Sequence, residues 1–388
     1  MTEELAAPCE QPAEQPESRQ TEPQGKLTKL WDGLDLGNVV GLGKGKEEGG
    51  IRDKVTVVEE SDITFDDVGG NKKAKEALRE LAGIIKGSKA HKAMGAEADR
   101  GYLLYGPSGN GKTELARALA GETGAIVIIV NYQDLASRWV NETPENIKAL
   151  FAFARQEAER SGKPVIIFFD EADALFVSRD GPSTHSMHTT ALAALLSEMD
   201  GAHASNDRIF VIGATNHPEG IDPAAQRRFE HKIAVPNPSE NDRVEILQIH
   251  RDRVRKKSLE NGYGAAVFSD SPQDPTDARA VQITEEKYWR QVAQKTEGFS
   301  GAMLATLVRR SARKAADKLQ QAMQEAGYTD VDEYLANYPD ALRTASVSAQ
   351  EVCELAEEIR QSETTANKQG QIAPPAYRNT GKGYFGTN

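Results

Sequence analysis

Cysteine is scarce in this sequence, positive charge is outweighed by negative, and long apolar runs are missing; each shortage excludes something. Cys9 and Cys353 are the two cysteines in 388 residues, and they form neither a disulfide framework nor a metal-ligand spacing. A reducing interior suits such a chain. The formal charge of -12, from 47 Lys and Arg against 59 Asp and Glu, argues against a broad grip on nucleic acid, which needs clustered cations. No run approaches the ~18 apolar residues that cross a bilayer, and Met-Thr-Glu-Glu-Leu at the start lacks a basic region ahead of an apolar one. The expectation is a cytoplasmic protein without a membrane span. A hydrophobic content of 38% is enough for real cores, and the length accommodates two or three compact units.

The text falls into four parts. Residues 1–60 read as a disordered arm, because the first 25 or so are Glu, Gln and Pro with little to bury. Within the arm, Lys26–Leu42 carries Leu27, Leu30, Trp31 and Leu34 at helical spacing, a candidate docking segment that could equally pack on its own chain. Over 61–236, five apolar runs alternate with helical stretches: Tyr102–Tyr105, Ala125–Val130, Val165–Phe169, Ile209–Ala214 and Ile233–Val235. That alternation predicts an α/β domain, a parallel five-stranded sheet with helices on both faces. Over 237–361 the strands stop, predicting a small all-helical domain with a Gly- and Pro-rich insertion at about 256–282. The tail 362–388 reads as flexible, although Tyr384 and Phe385 are unusual in such a segment.

Chemistry concentrates in two places. Gly106-Pro-Ser-Gly-Asn-Gly-Lys-Thr113 fits G-x-x-x-x-G-K-[ST], the Walker A pattern, between a strand-like run and a helical one. Its glycines let backbone N–H groups turn toward phosphate oxygens, and the helix N-terminus that follows favours anions. Pro107, Ser108, Gly109, Asn110, Gly111, Lys112, Thr113 and Glu114 are therefore the expected phosphate contacts. Lys112 would reach the β- and γ-phosphates and Thr113 would ligate magnesium. Further on, Val165-Ile-Ile-Phe-Phe-Asp-Glu171 is an apolar strand ending in two carboxylates at the sheet edge that carries the loop, the Walker B arrangement. Neighbouring side chains on a strand point opposite ways, so Asp170 can hold Mg2+ while Glu171 activates a water. These features predict a P-loop NTPase that binds and hydrolyses a nucleoside triphosphate.

With those two motifs, Ser197-Glu-Met-Asp-Gly201, Gly213-Ala-Thr-Asn216, Ile221-Asp-Pro-Ala-Ala-Gln-Arg-Arg-Phe229 and the opening Phe65-Asp-Asp-Val-Gly-Gly70 follow in an order that resembles the AAA ATPases over roughly residues 62–360. The resemblance implies a helical lid, with Asn216 beside the γ-phosphate to position water and sense hydrolysis. It implies that Arg227 and Arg228 are arginine fingers acting on a neighbouring subunit's nucleotide, hence a homo-oligomer, a hexameric ring. It implies an adenine pocket of Asp67, Val68, Gly69, His250, Gly301 and Ala302. Met303 departs from the family pattern, which commonly has an acidic residue there.

The resemblance also places Trp139 and Val140 in a pore loop that grips an extended polypeptide, making the chain a protein-remodelling motor with a protein substrate. Asn141 stands where the family pattern has glycine; Asn tolerates left-handed backbone better than most other residues. The arginine pair, the tryptophan and the single ATPase domain most resemble the katanin, spastin and ESCRT-disassembly group. No His-Glu-x-x-His occurs, which excludes a fused zinc protease within these residues. Two histidines, His185 and His188, lie in a second candidate channel loop without a third ligand. Two competing readings are an ATP-gated ring scaffold that recruits partners through Lys26–Leu42 without threading, and a DNA-acting motor, which the acidity disfavours.

Overall fold

Valine, isoleucine and phenylalanine dominate the runs at 125–130, 165–169 and 209–214, as strands buried on both faces require. A computed structural model describes residues 51–87, 93–94, 101–131, 143–176, 186–204, 208–263, 267–268 and 278–370. In it the strands are β1 (Thr56–Val58), β2 (Gly101–Tyr105), β3 (Ile126–Asn131), β4 (Val165–Asp170), β5 (Ile209–Thr215) and β6 (His231–Ala234). Their order in the sheet is β1-β3-β4-β5-β2-β6. All pairs from β3 to β6 are parallel, whereas β1 runs antiparallel to β3, with Val57 opposite Ile128.

The five expected parallel strands are β2 to β6; the antiparallel β1 is additional to them, and it falls inside the stretch assigned to a disordered arm. Three residues are too short to show a period, so nothing local announces the strand. It is secured by pairing along the apolar edge of β3 and by surface ion pairs that Glu59 and Glu60 make with Arg160 and Lys163.

Alternation along each strand sorts the apolar residues into two cores. Leu103, Ile128, Ile167, Phe169 and Val211 face α3 (Thr143–Ser161) and α5 (Ser186–Ala204). Leu104, Val127, Ile166, Phe168 and Ile212 face α1 (Lys72–Lys86) and α2 (Lys112–Thr123). Two short helices, α4 (Ala172–Leu175) and α6 (Pro223–Gln226), follow β4 and precede β6.

Past β6 the chain is helical: α7 (Glu240–Glu260), α8 (Ala278–Lys295), α9 (Gly301–Glu325), α10 (Val331–Asn337), α11 (Ala341–Thr344) and α12 (Ala349–Gly370). Ser239 starts α7 with a capping box to Asp242. Trp289, Phe299, Leu304, Leu307 and Val352 form the core of this part. Helix α7 continues to Glu260 and α8 begins at Ala278, so the expected insertion at 256–282 contracts to 261–277. The last helix likewise runs past residue 361 to Gly370, because a helix once nucleated propagates cheaply through a polar sequence. Among the described residues, no helix is long and apolar enough to cross a membrane. Cys9, Lys26–Leu42, Trp139, Val140, His185, Tyr384 and Phe385 lie outside the described residues.

Candidate active site

The sheet order sets β5 between β4 and β2, so the ends of these three strands bring together the residues that the two motifs and the resemblance single out. The loop after β2 needs glycine at 106: φ there is 148°, and a Cβ would fall on the Val235 carbonyl. Gly109 and Gly111 also have positive φ, and α2 begins directly at Lys112.

Lys112 is 8% exposed, and its ammonium donates to the Gly106 carbonyl at 2.8 Å, the Pro107 carbonyl at 3.0 Å and Asn216 Oδ1 at 2.6 Å. Burial lowers its pKa, and the negative charges of Asp170 and then Asp173 act in the opposite sense. Thr113 Oγ1 donates to Asp170 Oδ2 at 2.9 Å. A hydroxyl and a carboxylate this close are hard oxygen donors that fit a small divalent cation such as Mg2+. Asp170 Oδ1 accepts the Glu171 backbone N–H at 3.0 Å, and Glu171 sits at φ 51°, ψ 48°, an exposed residue held in the left-handed region. Among the described residues, no group of three or more His, Cys, Asp or Glu side chains forms a further metal site.

Other expected site residues fall in different places. Asp67 turns its carboxylate back onto the N–H and hydroxyl of Thr64, while its own carbonyl accepts from Arg253 Nη2 at 2.8 Å. Val68 is buried in the α1–α2 core, and Gly69 packs so close to Ile246 of α7 that a Cβ would lie 2.7 Å from its Cα. Burial drives the His250 pKa down to about 4, with Arg253 and Arg309 adding repulsion, so this imidazole is neutral at ordinary pH. Ala302 donates its N–H to the Gly109 carbonyl at 2.8 Å, and Gly301 donates to Asn110 Oδ1 at 3.3 Å. Glu114 lies in the first turn of α2, where a carboxylate suits the helix dipole.

The two arginines have unlike environments. Arg227 is exposed in the turn before β6, the edge strand. Arg228 is gripped from its own chain: Nε and Nη2 donate to the two Asp200 oxygens at 2.9 and 2.8 Å, and Nη1 to the Ala224 carbonyl at 3.2 Å. The bond to Asp200 raises its pKa further. Sequence reading also missed a bridge beneath Asn216: the buried Thr215 hydroxyl donates to Asp173 Oδ1 at 2.6 Å and accepts the His217 N–H at 2.9 Å. Thr215 lies inside Gly213-Ala-Thr-Asn216 and Asp173 two residues past Glu171, and a hydroxyl among otherwise apolar strand residues is the available signal.

The sequence profile of the ATPase family associated with various cellular activities (AAA) matches residues 102–237, and the AAA+ lid domain profile matches 289–327. Among similar proteins, ATP-dependent zinc metalloprotease FtsH 4 of Synechocystis sp. is 33% identical over 276 residues, 70% of this chain and 39% of that protein. Cell division cycle protein 48 homolog of Archaeoglobus fulgidus is 36% identical over 266 residues, 68% of this chain and 32% of that protein. Vacuolar protein sorting-associated protein 4A of Homo sapiens is 35% identical over 268 residues, 69% of this chain and 54% of that protein. The chain thus spans about a third to a half of the length of these curated relatives. With a phosphate loop, a carboxylate-ended β4, Asn216 between them and a lid against the loop, the chain belongs to the AAA ATPase family.

Proposed function

We propose that the chain hydrolyses ATP as the motor unit of a ring that remodels protein substrates. The observation that carries hydrolysis is the meeting of Lys112, Asn216, Thr113 and Asp170 at one sheet edge, with Glu171 held beside them in a strained backbone. In this reading the loop N–H groups and Lys112 hold the β- and γ-phosphates, Lys112 exchanging its loop carbonyls for phosphate oxygens. Thr113 and Asp170 would hold Mg2+, which would supply positive charge against that of the phosphates. Glu171 takes the proton of the attacking water, and Asn216, fixed by Thr215 and Lys112, orients that water. Neutral His250 contributes to the adenine pocket together with the backbone of Asp67–Gly69 and Gly301–Ala302.

The ring rests on Arg227, an exposed guanidinium at the sheet edge, where it can act on the nucleotide of a second copy. Arg228, braced by Asp200, holds that turn in place and joins the neighbour's site if the Asp200 bond opens. Action on proteins is drawn from the relatives and from Trp139 and Val140 in the expected pore loop, and the kinship with the katanin, spastin and ESCRT-disassembly group stands on the same residues.

A Glu171→Gln variant tests the core of the proposal: it should bind ATP, accumulate as a closed oligomer by analytical ultracentrifugation and lose turnover by at least about 100-fold. Parent-like turnover from a strict monomer would refute it. Trp139→Ala then separates threading from the scaffold alternative. Retained ATPase with lost unfolding of a tagged substrate supports the motor, and unchanged unfolding removes Trp139 from the substrate path.

A further inference from the structure

Asn110 occupies the middle of the phosphate loop, yet its side chain is engaged elsewhere. It is 4% exposed, and both ends of its amide are taken by other segments. Its Oδ1 accepts the Gly301 N–H at 3.3 Å, and its Nδ2 donates to Asn237 Oδ1 at 2.9 Å. Its carbonyl accepts from Asn71 Nδ2 at 3.3 Å. Asn71 caps α1 at φ 53°, a left-handed position that asparagine occupies more readily than most residues. Three asparagines from three segments thus meet around one loop.

The contacts with α9 have a specific meaning. The first N–H groups of a helix lack partners within it and must find them outside. For α9, Gly301 N–H goes to Asn110, Ala302 N–H goes to the Gly109 carbonyl, and Met303 N–H goes to the Ser300 hydroxyl. Two of these three donors are served by the phosphate loop itself. Asn237 lies between β6 and α7, on the segment that connects the α/β domain to the lid. Any change in loop shape on nucleotide binding must therefore displace the cap of α9, or the Asn110–Asn237 bond, or both.

We infer that Asn110 is a positioning residue rather than a phosphate ligand: through Gly301 and Asn237 it converts the state of the phosphate loop into the angle of the lid. The inference rests on the nucleotide-site reading above and extends it to how occupancy is transmitted. A loop residue with a short apolar side chain could still bind phosphate through backbone N–H groups, but it would leave the Gly301 N–H and the connecting segment unlinked.

The test is hydrogen exchange of the full chain, with and without saturating ADP, read over backbone amides 297–308. The parent, Asn110→Ala, Asn237→Ala and Asn237→Asp are compared, with ADP affinity measured separately for each. Asn237 is exposed, so its substitution leaves the fold intact. The parent should gain protection there on ADP binding. That gain should shrink about fivefold in both alanine variants, the factor that one ordinary hydrogen bond supplies. Asn237→Asp keeps an acceptor for Asn110 Nδ2 and should keep the gain. An equal loss of protection with and without ADP in the alanine variants would make the contacts merely structural and overturn the inference. So would a parent that binds ADP with no change at 297–308, a result that leaves the nucleotide site standing. A parent that binds no ADP removes the site and the inference together.

Discussion

The neutral imidazole of His250 gives this protein a stability that depends on pH in a calculable way. Its pKa in the fold is about 4, against 6.5 for an unperturbed histidine, because burial and the nearby Arg253 and Arg309 all oppose a positive charge. Between those two values the unfolded chain binds a proton that the folded chain refuses, so the unfolded state is favoured as pH falls. The sign is therefore loss of stability on acidification through 6.5 toward 4, complete only below the folded value. Linkage over this window gives about 2 kcal/mol lost between about pH 7 and about pH 5, with a slope approaching 1.36 kcal/mol per pH unit near the middle. Urea unfolding of the nucleotide-free chain at these pH values, for the parent and for His250→Gln, isolates the effect. Glutamine fills similar space and does not titrate. Its absolute stability at about pH 7 differs from the parent's for packing reasons, but the loss down to about pH 5 should be smaller by those 2 kcal/mol. If His250→Gln loses as much as the parent, the imidazole is not the group that resists protonation.

Further predictions concern the rest of the site. Arg227→Ala should lower the turnover of assembled ATPase by about 1000-fold, the scale of an arginine finger, with thermal stability unchanged in a melting curve. Arg228→Ala and Asp200→Ala should resemble each other, each costing no more than about 1 kcal/mol by urea unfolding because the pair is partly exposed. Equal kinetic losses at 227 and 228 together with parent-like activity of Asp200→Ala would contradict the division of labour between the arginines. Thr215→Val keeps the shape of β5 but removes the bond to Asp173, so kcat should fall about tenfold while KM for ATP holds; an unchanged kcat would free Asn216 from that support.

The parts legible in the sequence share a physical property: their signal is local. Four strands buried on both faces had to be apolar almost throughout, and a phosphate loop had to spell its glycines and lysine within eight residues. The strand Thr56–Val58 escaped because its identity comes from pairing with β3, not from its own three residues. Ser362–Gly370 escaped because its polar residues give no periodic face, although the helix before them carries on. In the site, Arg227 and Arg228 are identical letters side by side, and only the fold gives one of them Asp200. Asn71 and Asn237 carry no motif at all, and become meaningful once Asn110 is seen between them.

Glu171 combines both kinds of information. Its identity and its place after a strand are local, and they suffice to suggest a base. Its left-handed backbone is not local; a non-glycine residue there costs on the order of 1–2 kcal/mol, which neighbouring contacts must offset. The offset is visible in the Asp170 carboxylate, whose Oδ1 accepts the Glu171 N–H while Oδ2 accepts from Thr113. The aspartate expected to hold Mg2+ is thus also the clamp that maintains the strained turn, and Ala174 closes it from the other side by donating its N–H to the Glu171 carbonyl at 2.9 Å. A substitution at Asp170 therefore cannot be read as loss of a metal ligand alone. It also releases Glu171 toward ordinary helical or extended angles, moving the carboxylate off the strand end beside Asn216. Glu171→Gln, by contrast, leaves the clamp in place and removes one carboxylate charge, which makes it the cleaner probe of the chemical step.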